Sequence, residues 1–88
     1  MGKETFIFSK CNEYLKELHN RYRTEGIWIV KKYGKRYSFI AGIPPSGFNS
    51  PEVIEINDRY LLFYENGEYL QDKINEVILK LKEFLDED

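Results

Sequence analysis

Residues 27–41 read IWIVKKYGKRYSFIA, two β-branched and aromatic runs that meet at Gly34-Lys35. Such residues favour strands, and glycine at the first central position of a two-residue turn is typical of a type II′ hairpin. Continuous pairing from this turn predicts three cross-strand pairs on one side of the ribbon, namely Val30–Phe39, Lys32–Tyr37 and Trp28–Ala41. We therefore predict an antiparallel hairpin at the centre of the chain.

A second hairpin is predicted beyond a loop over residues 42–51, which holds all three prolines of the chain and so excludes regular structure. It joins residues 53–56 to residues 60–64 through a turn near Asn57-Asp58. Side chains alternate between the faces of a strand. We expect one face to pack on the helices with Ile54, Ile56, Leu61 and Phe63, and the other to present Tyr60, Leu62 and Tyr64 to the outside.

Helices are predicted at both ends of the chain, because apolar residues recur there at spacings of three and four. The first stripe consists of Phe8, Cys11, Leu15, Leu18 and Tyr22, and the second of Leu70, Ile74, Val77, Ile78, Leu81, Phe84 and Leu85. The order α-β-β-β-β-α predicts an α+β fold, a two-layer sandwich of a four-stranded antiparallel meander with an N-terminal and a C-terminal helix. A length of 88 residues suits a single domain over 1–88.

The charge of the chain is divided between its two halves. Residues 1–47 hold nine Lys/Arg and four Asp/Glu, a balance of +5, and residues 48–88 hold four Lys/Arg and eleven Asp/Glu, a balance of −7. No acidic residue occurs between Gly26 and Pro51. A localised electrostatic potential of one sign can select a partner that carries the opposite charge.

The basic charge is most concentrated at the tip of the first hairpin. The candidate binding residues there are Lys31, Lys32, Tyr33, Lys35, Arg36 and Tyr37. Cations and stacking rings on a sheet are typical of single-strand binders, so nucleic-acid binding is the alternative function. The chain is acidic overall, with a pI of about 5.5, and its predicted register places the cations on both faces of the ribbon. A protein partner with an acidic groove fits such a tip better.

Two further surfaces are candidates for binding. The outward row Tyr60, Leu62 and Tyr64 would form an apolar interface of the kind that protein partners bury. Phe48 lies in the long loop, where binding residues often occur. The acidic half offers one more alternative, since its carboxylates could mimic phosphate and inhibit a nucleic-acid enzyme.

The sequence contains few residues suited to catalysis or metal binding. It has one cysteine, Cys11, and one histidine, His19, and both lie on the first predicted helix. Zinc requires three or four ligands, and covalent catalysis requires a nucleophile and base that converge. No Gly-x-Ser-x-Gly or Walker-type motif is present. We therefore predict no enzyme activity, no metal and no cofactor.

The expected location is the cytoplasm, because a single cysteine cannot form an intramolecular disulfide and small secreted domains usually need them. No apolar run approaches the roughly 20 residues of a membrane span, so we expect a soluble protein without a membrane partner. The sequence predicts a small accessory, regulatory or inhibitor-type protein that binds a macromolecule, in the first place a protein. Self-association is a further option, since its positive and negative ends are complementary.

Overall fold

The computed structural model of the chain describes residues 2–45 and 50–85. Its elements in chain order are α1 (Gly2–Tyr22), β1 (Gly26–Tyr33), β2 (Arg36–Ile43), β3 (Glu52–Glu55), β4 (Tyr60–Glu65), α2 (Glu68–Gln71) and α3 (Ile74–Leu85). The four strands form one antiparallel sheet, and the described helices share one core with a single face of it. The predicted α+β class and order of elements are confirmed, with the C-terminal helix divided into α2 and α3.

Both helices place their predicted stripes on the core. From α1 the core receives Phe8, Cys11, Leu15, Leu18 and Tyr22, the first and last of them partly buried. From α3 it receives Val77, Leu81 and Leu85. The first helix ends at Tyr22 because Arg23 has a φ of +52°, the left-handed conformation that commonly terminates helices.

The strand order is β2-β1-β4-β3, so the predicted meander, in which β2 would lie beside β3, is wrong. β4 carries an unbroken apolar run over residues 60–64 and lies in the middle of the sheet, between β1 and β3. β3 is short and bears Glu52 and Glu55, and charged side chains are typical of edges, where they discourage pairing with other chains. β2 and β3 therefore lie at opposite edges of the sheet, and Pro45, two residues after the end of β2, lies beside Gly26 of β1.

The row Tyr60, Leu62 and Tyr64 is buried under the helices, so the prediction that it faces outward is wrong. The register pairs Leu62 with Ile54, and these two side chains share the face that packs on the helices. Leu61 and Phe63 consequently belong to the opposite face. The error amounts to one residue of register, and such a slip exchanges the faces of a whole strand.

The physical reason for this register is the length of the turn. Three residues, 57–59, separate Ile56 from Tyr60, and the Ile56 amide donates to the Tyr60 carbonyl over 3.0 Å. The Asn57 Oδ1 accepts hydrogen bonds from the amides of Arg59 (2.8 Å) and Tyr60 (3.0 Å). An odd number of loop residues places the even-numbered residues of both strands on the same face.

The first hairpin keeps the predicted pairing from its turn as far as Val30 and Phe39. Beyond Val30 the register shifts by one residue, so the predicted pair Trp28–Ala41 is wrong and Trp28 lies opposite Gly42. The shift is a β-bulge, in which one strand contributes an extra residue. It turns the small side chain of Ala41 toward α1, where it is buried.

Gly42 links the bulged strand β2 to α1 through a hydrogen bond. Its amide donates a hydrogen bond to Asn12 Oδ1 over 2.9 Å. It has a φ of +114°, and a Cβ added to it would stand 2.4 Å from the carbonyl oxygen of Ile27. Only glycine fits a backbone with this conformation and this close a neighbour.

Candidate functional site

The predicted hairpin tip exists, and its residues are divided between the two faces of the sheet. Lys32 and Tyr37 lie on the face opposite the helices, whereas Lys31, Tyr33 and Arg36 lie on the helix side and Lys35 occupies the turn. Tyr33, Lys35, Arg36 and Tyr37 are exposed, and the side chains of Lys31 and Lys32 are half-buried. The division predicted from the register is therefore present, and a binding role for the tip stays a prediction.

Two of the tip cations contact other side chains. Lys32 Nζ lies 3.3 Å from Glu55 Oε2 in an exposed ion pair across the sheet. Lys31 Nζ lies over the rings of Tyr33 and Tyr60, at 5.2 and 5.8 Å from their centroids. Exposed pairs of this kind contribute at most about 1 kcal/mol to stability. The carboxylate of Glu55 offsets the charge of Lys32, whereas Lys31 keeps its positive charge over the two neutral rings.

The side of the sheet away from the helices is apolar and aromatic, and we call it the open face. By strand pairing it comprises Trp28, Val30, Lys32, Tyr37, Phe39, Val53, Glu55, Leu61, Phe63 and, at the end of β4, the buried Glu65. Tyr37 and Phe39 have 61% and 51% of their surface exposed, and Val53 is also exposed. The described helices pack on the other face, so within residues 2–45 and 50–85 no helix covers these side chains.

Three rings on the open face contact one another across different strands. Trp28 of β1 stacks on Phe63 of β4 with centroids 5.4 Å apart and planes at 24°. Tyr37 of β2 meets the same Phe63 edge-on at 6.3 Å. Aromatic contacts of this kind are worth roughly 0.5–1.5 kcal/mol beyond the area they bury. They hold the face in one shape before any partner arrives, which lowers the entropy cost of binding.

The sequence predicts only part of this surface. It places Trp28 and Phe39 on one side of the first hairpin and Val53 on the face of the second hairpin away from the helices, but it assigns Phe63 to the helix-facing side and does not name Val53 as a binding residue. The sequence does not show that the turn over residues 57–59 contains an odd number of residues. That number decides which side chains of β4 face the helices. The predicted site residue Phe48 lies outside the described residues.

Within the described residues, His19 and Cys11 are not part of the lining of either pocket described below. His19 Nδ1 lies 2.9 Å from the Thr24 hydroxyl, and Cys11 is fully buried in the core. Two pockets lie elsewhere. One of about 290 Å³ is lined by Tyr22, Arg23, Asn66 and Tyr69, and one of about 200 Å³ by Ser50, Glu52, Tyr64, Glu65, Asn66, Gly67 and Gln71. Among the described residues there is no group of three or more His, Cys, Asp and Glu that could hold a metal ion.

We expect the Cys11 thiol to be inert in the folded protein. Burial raises its pKa to about 11 from 9.0, and the thiolate is the reactive form. At about pH 8, an aromatic disulfide reagent should label the native chain at least about a hundredfold more slowly than the urea-unfolded chain, because labelling requires opening. Equal rates in the two states would contradict the burial of this side chain.

The raised pKa of Cys11 also makes the stability of the folded protein depend on pH in the alkaline range. The raised pKa stabilises the folded protein below about pH 9, and this contribution is lost as the pH rises through about 11, since the unfolded chain releases the thiol proton first. Two pKa units correspond to about 2–3 kcal/mol. Cys11→Ala should therefore lose less stability than the wild type between these pH values, as measured by urea titration at each pH.

In the described part of the chain, no helix has the length and apolar character needed to cross a membrane. The candidate functional site consists of the open face with its three contacting rings and the basic hairpin tip at the border of that face. A scan against protein-family models, a search of curated proteins and a search of solved structures each find no match to this chain.

Proposed function

We propose that this domain is a protein-binding module that acts without chemistry of its own, and that its binding surface is the open face of the sheet. The observation that carries the proposal is the exposure of large aromatic side chains there, with Tyr37 and Phe39 more than half accessible. Contiguous apolar surface of this kind is unusual on a monomer and is typical of interaction sites. Tyrosine, tryptophan and phenylalanine are also the residues enriched at the centres of protein interfaces.

The partner we assign to this face is a second copy of the chain. One edge of the sheet, β2, begins at the basic residues Lys35 and Arg36, and the other edge, β3, ends at Glu55, close to Asp58. All four lie at the same end of the sheet, since the Lys32 amide bonds to the Arg59 carbonyl there. A twofold axis parallel to the strands would stack two open faces and bring each basic edge onto the acidic edge of the other copy.

The two copies would then form a β-sandwich with an aromatic core. Sheets that pack face to face keep their strands within about 30° of one another, and this arrangement is compatible with such an axis. A twofold interface repeats every contact, so each favourable edge pair and each buried ring counts twice. The opposite charges of the two halves of the sequence would attract each other across this symmetric interface.

Nucleic acid fits the open face less well. Lys32 is the one tip cation among the residues assigned to it, and its ammonium is already paired with Glu55. Lys31 lies on the helix side, over two tyrosine rings. Single-strand binders combine stacking rings with a positively charged groove that neutralises phosphates, and here the cation on the ring-bearing face is already paired with a carboxylate.

The test is the oligomeric state of two matched phenylalanine variants. Phe39→Ser removes a ring from the open face, and Phe6→Ser removes a ring of similar exposure, 61%, from α1. In sedimentation equilibrium we expect the wild type and Phe6→Ser to form dimers with the same Kd. Phe39→Ser should dissociate at least about tenfold more readily, since a half-buried ring lost twice is worth about 2–3 kcal/mol.

Three outcomes would overturn the proposal. A wild-type chain that remains monomeric at millimolar concentration would remove the second copy as the occupant of the face. Equal dissociation constants for the two variants would place the contact elsewhere. Binding of a single-stranded oligonucleotide that Phe39→Ser abolishes and Phe6→Ser retains would assign the face to nucleic acid.

A further inference from the structure

The larger of the two described pockets lies at the end of the sheet away from the hairpin tip, where α1 ends and the chain turns from β4 into α2. The hydrogen bond from the Glu25 amide to the Glu65 carbonyl, 3.0 Å long, brings these two segments together. The pocket has a volume of about 290 Å³. Ligand pockets usually measure about 300–1,000 Å³, so this one suits a single small ligand. The residues that line it are Tyr22, Arg23, Asn66 and Tyr69.

Two of the lining residues have a backbone conformation that side chains rarely adopt. Arg23 has a φ of +52° and Asn66 a φ of +55°, and they are the two non-glycine residues with a positive φ within residues 2–45 and 50–85. Asparagine tolerates this conformation, whereas arginine is uncommon in it. Glycine most often ends a helix in this way, so Arg23 places a cationic side chain where the end of α1 needs none. Strained residues cluster at ligand-binding sites, and here both border one pocket.

The charge of the pocket comes from Arg23. Its guanidinium takes part in neither of the two ion pairs found between described residues. None of the described residues that line the pocket is acidic, and Glu25, the acidic residue nearest to Arg23 in the chain, is not among them. The Asn66 amide and the two phenol hydroxyls add neutral hydrogen-bond donors. A cation among neutral donors suits an anionic group.

The two tyrosines supply aromatic walls beside this cation. Tyr22 is partly buried and packs against the core, so its ring is held in place. Tyr69 of α2 is 75% exposed, the highest value among the described large hydrophobic side chains that are exposed. A ring this exposed contributes little to the core, and tyrosine and arginine are enriched among the residues that dominate binding energy. The walls therefore suit a ligand that carries a ring of its own.

We propose that this pocket binds an aromatic carboxylate, with the carboxylate on Arg23 and the ring against Tyr22 and Tyr69. The guanidinium presents two parallel N–H donors that match the two oxygens of a carboxylate. Aromatic rings attract one another in offset or edge-on contacts, which the two tyrosines offer. A phosphate monoester carries up to about two negative charges and fits one arginine less well. The site is separate from the open face, none of whose residues line it.

The experiment is an amide NMR titration of the whole chain with sodium benzoate at constant ionic strength. We expect saturable shifts centred on residues 22–24 and 66–69. Benzamide has the same ring without the charge, and acetate has the charge without the ring, so each should bind at least about tenfold more weakly. Equal binding of either compound and benzoate would overturn the proposal, as would benzoate shifts that do not saturate or that lie elsewhere.

Two arginine variants locate the carboxylate. Arg23→Gln removes the charge, keeps a polar side chain and should weaken benzoate binding at least about tenfold. Arg21→Gln changes an arginine of α1 that pairs with Glu17 over 2.7 Å, and it should leave the affinity unchanged. Both arginines are exposed, so neither change should unfold the chain. Unchanged affinity in Arg23→Gln, or equal losses in the two variants, would overturn the assignment.

The same titration distinguishes two sources of the carboxylate. N-acetylphenylalanine presents the C-terminal carboxylate and the ring of a partner protein, and benzoate represents a free aromatic acid. Tighter binding of N-acetylphenylalanine supports a protein C-terminus, and equal or tighter binding of benzoate supports a small molecule. Failure of both to bind overturns the proposal and leaves the proposed function of the open face untouched.

Discussion

Gly42→Ala is expected to destabilise the protein by at least about 3 kcal/mol. A Cβ at this position would stand 2.4 Å from the carbonyl oxygen of Ile27 and 2.6 Å from the Cα of Trp28, and the φ of +114° is one that alanine rarely adopts. Both contacts are with backbone atoms, so β1 or β2 itself must move. That movement would also strain the hydrogen bond from the Gly42 amide to Asn12.

A loss of this size is a large part of the total, since a domain of this length has a free energy of unfolding of roughly 5–15 kcal/mol. Urea denaturation followed by circular dichroism measures it, with an unchanged m-value as the sign that only stability has changed. The matched control is Gly34→Ala. Gly34 also has a positive φ, +62°, but a Cβ there meets nothing within 4 Å.

The control should lose only about 1–2 kcal/mol, the cost of the left-handed conformation alone. The difference between the two variants isolates the close approach of β1 and β2 at the bulge. If Gly42→Ala were no more destabilising than Gly34→Ala, the bulge would have to lie elsewhere in the hairpin.

Leu62→Ala is expected to destabilise the protein by about 3 kcal/mol. Leu62 has no exposed surface and lies in the central strand β4, opposite both Ile29 and Ile54. Removing its side chain leaves a cavity between the sheet and the helices, and the cost combines lost burial with unfilled space. The prediction tests the face of β4 directly, because an outward Leu62 would lose little on truncation.

The matched control is a leucine on the surface. Leu79 of α3 is 62% exposed, and alanine is an excellent helix former. Leu79→Ala should therefore change the free energy of unfolding by less than about 0.5 kcal/mol. Equal losses at the two leucines in urea titrations would contradict the placement of Leu62 in the core.

Much of the fold follows from short-range patterns. The stripe that includes Cys11, Leu15 and Leu18 predicts α1, because a helix repeats every 3.6 residues whatever surrounds it. Gly34-Lys35 marks the first turn for an equally local reason, since Gly34 is needed for a positive φ. The proposed function depends on contacts that no such pattern describes.

The candidate site could be predicted only in part. The tip residues of the first hairpin occupy the expected turn, and Tyr37 and Phe39 lie on the expected side of it. Phe63 was misplaced because its face depends on how many residues the turn over 57–59 contains. Trp28 acquired a different cross-strand partner because the bulge inserts one residue where α1 needs close contact with Ala41.

The amino-acid pattern alone determined the α+β class, the order of the elements and the division of charge, since each depends on residues that are close in the chain. Strand order, the choice of buried face on β4 and the bulge at Gly42 were decided by tertiary structure. Each of them depends on which distant segments pair and in what register, and a shift of one residue exchanges core for surface. The open aromatic face arises from that second set of decisions.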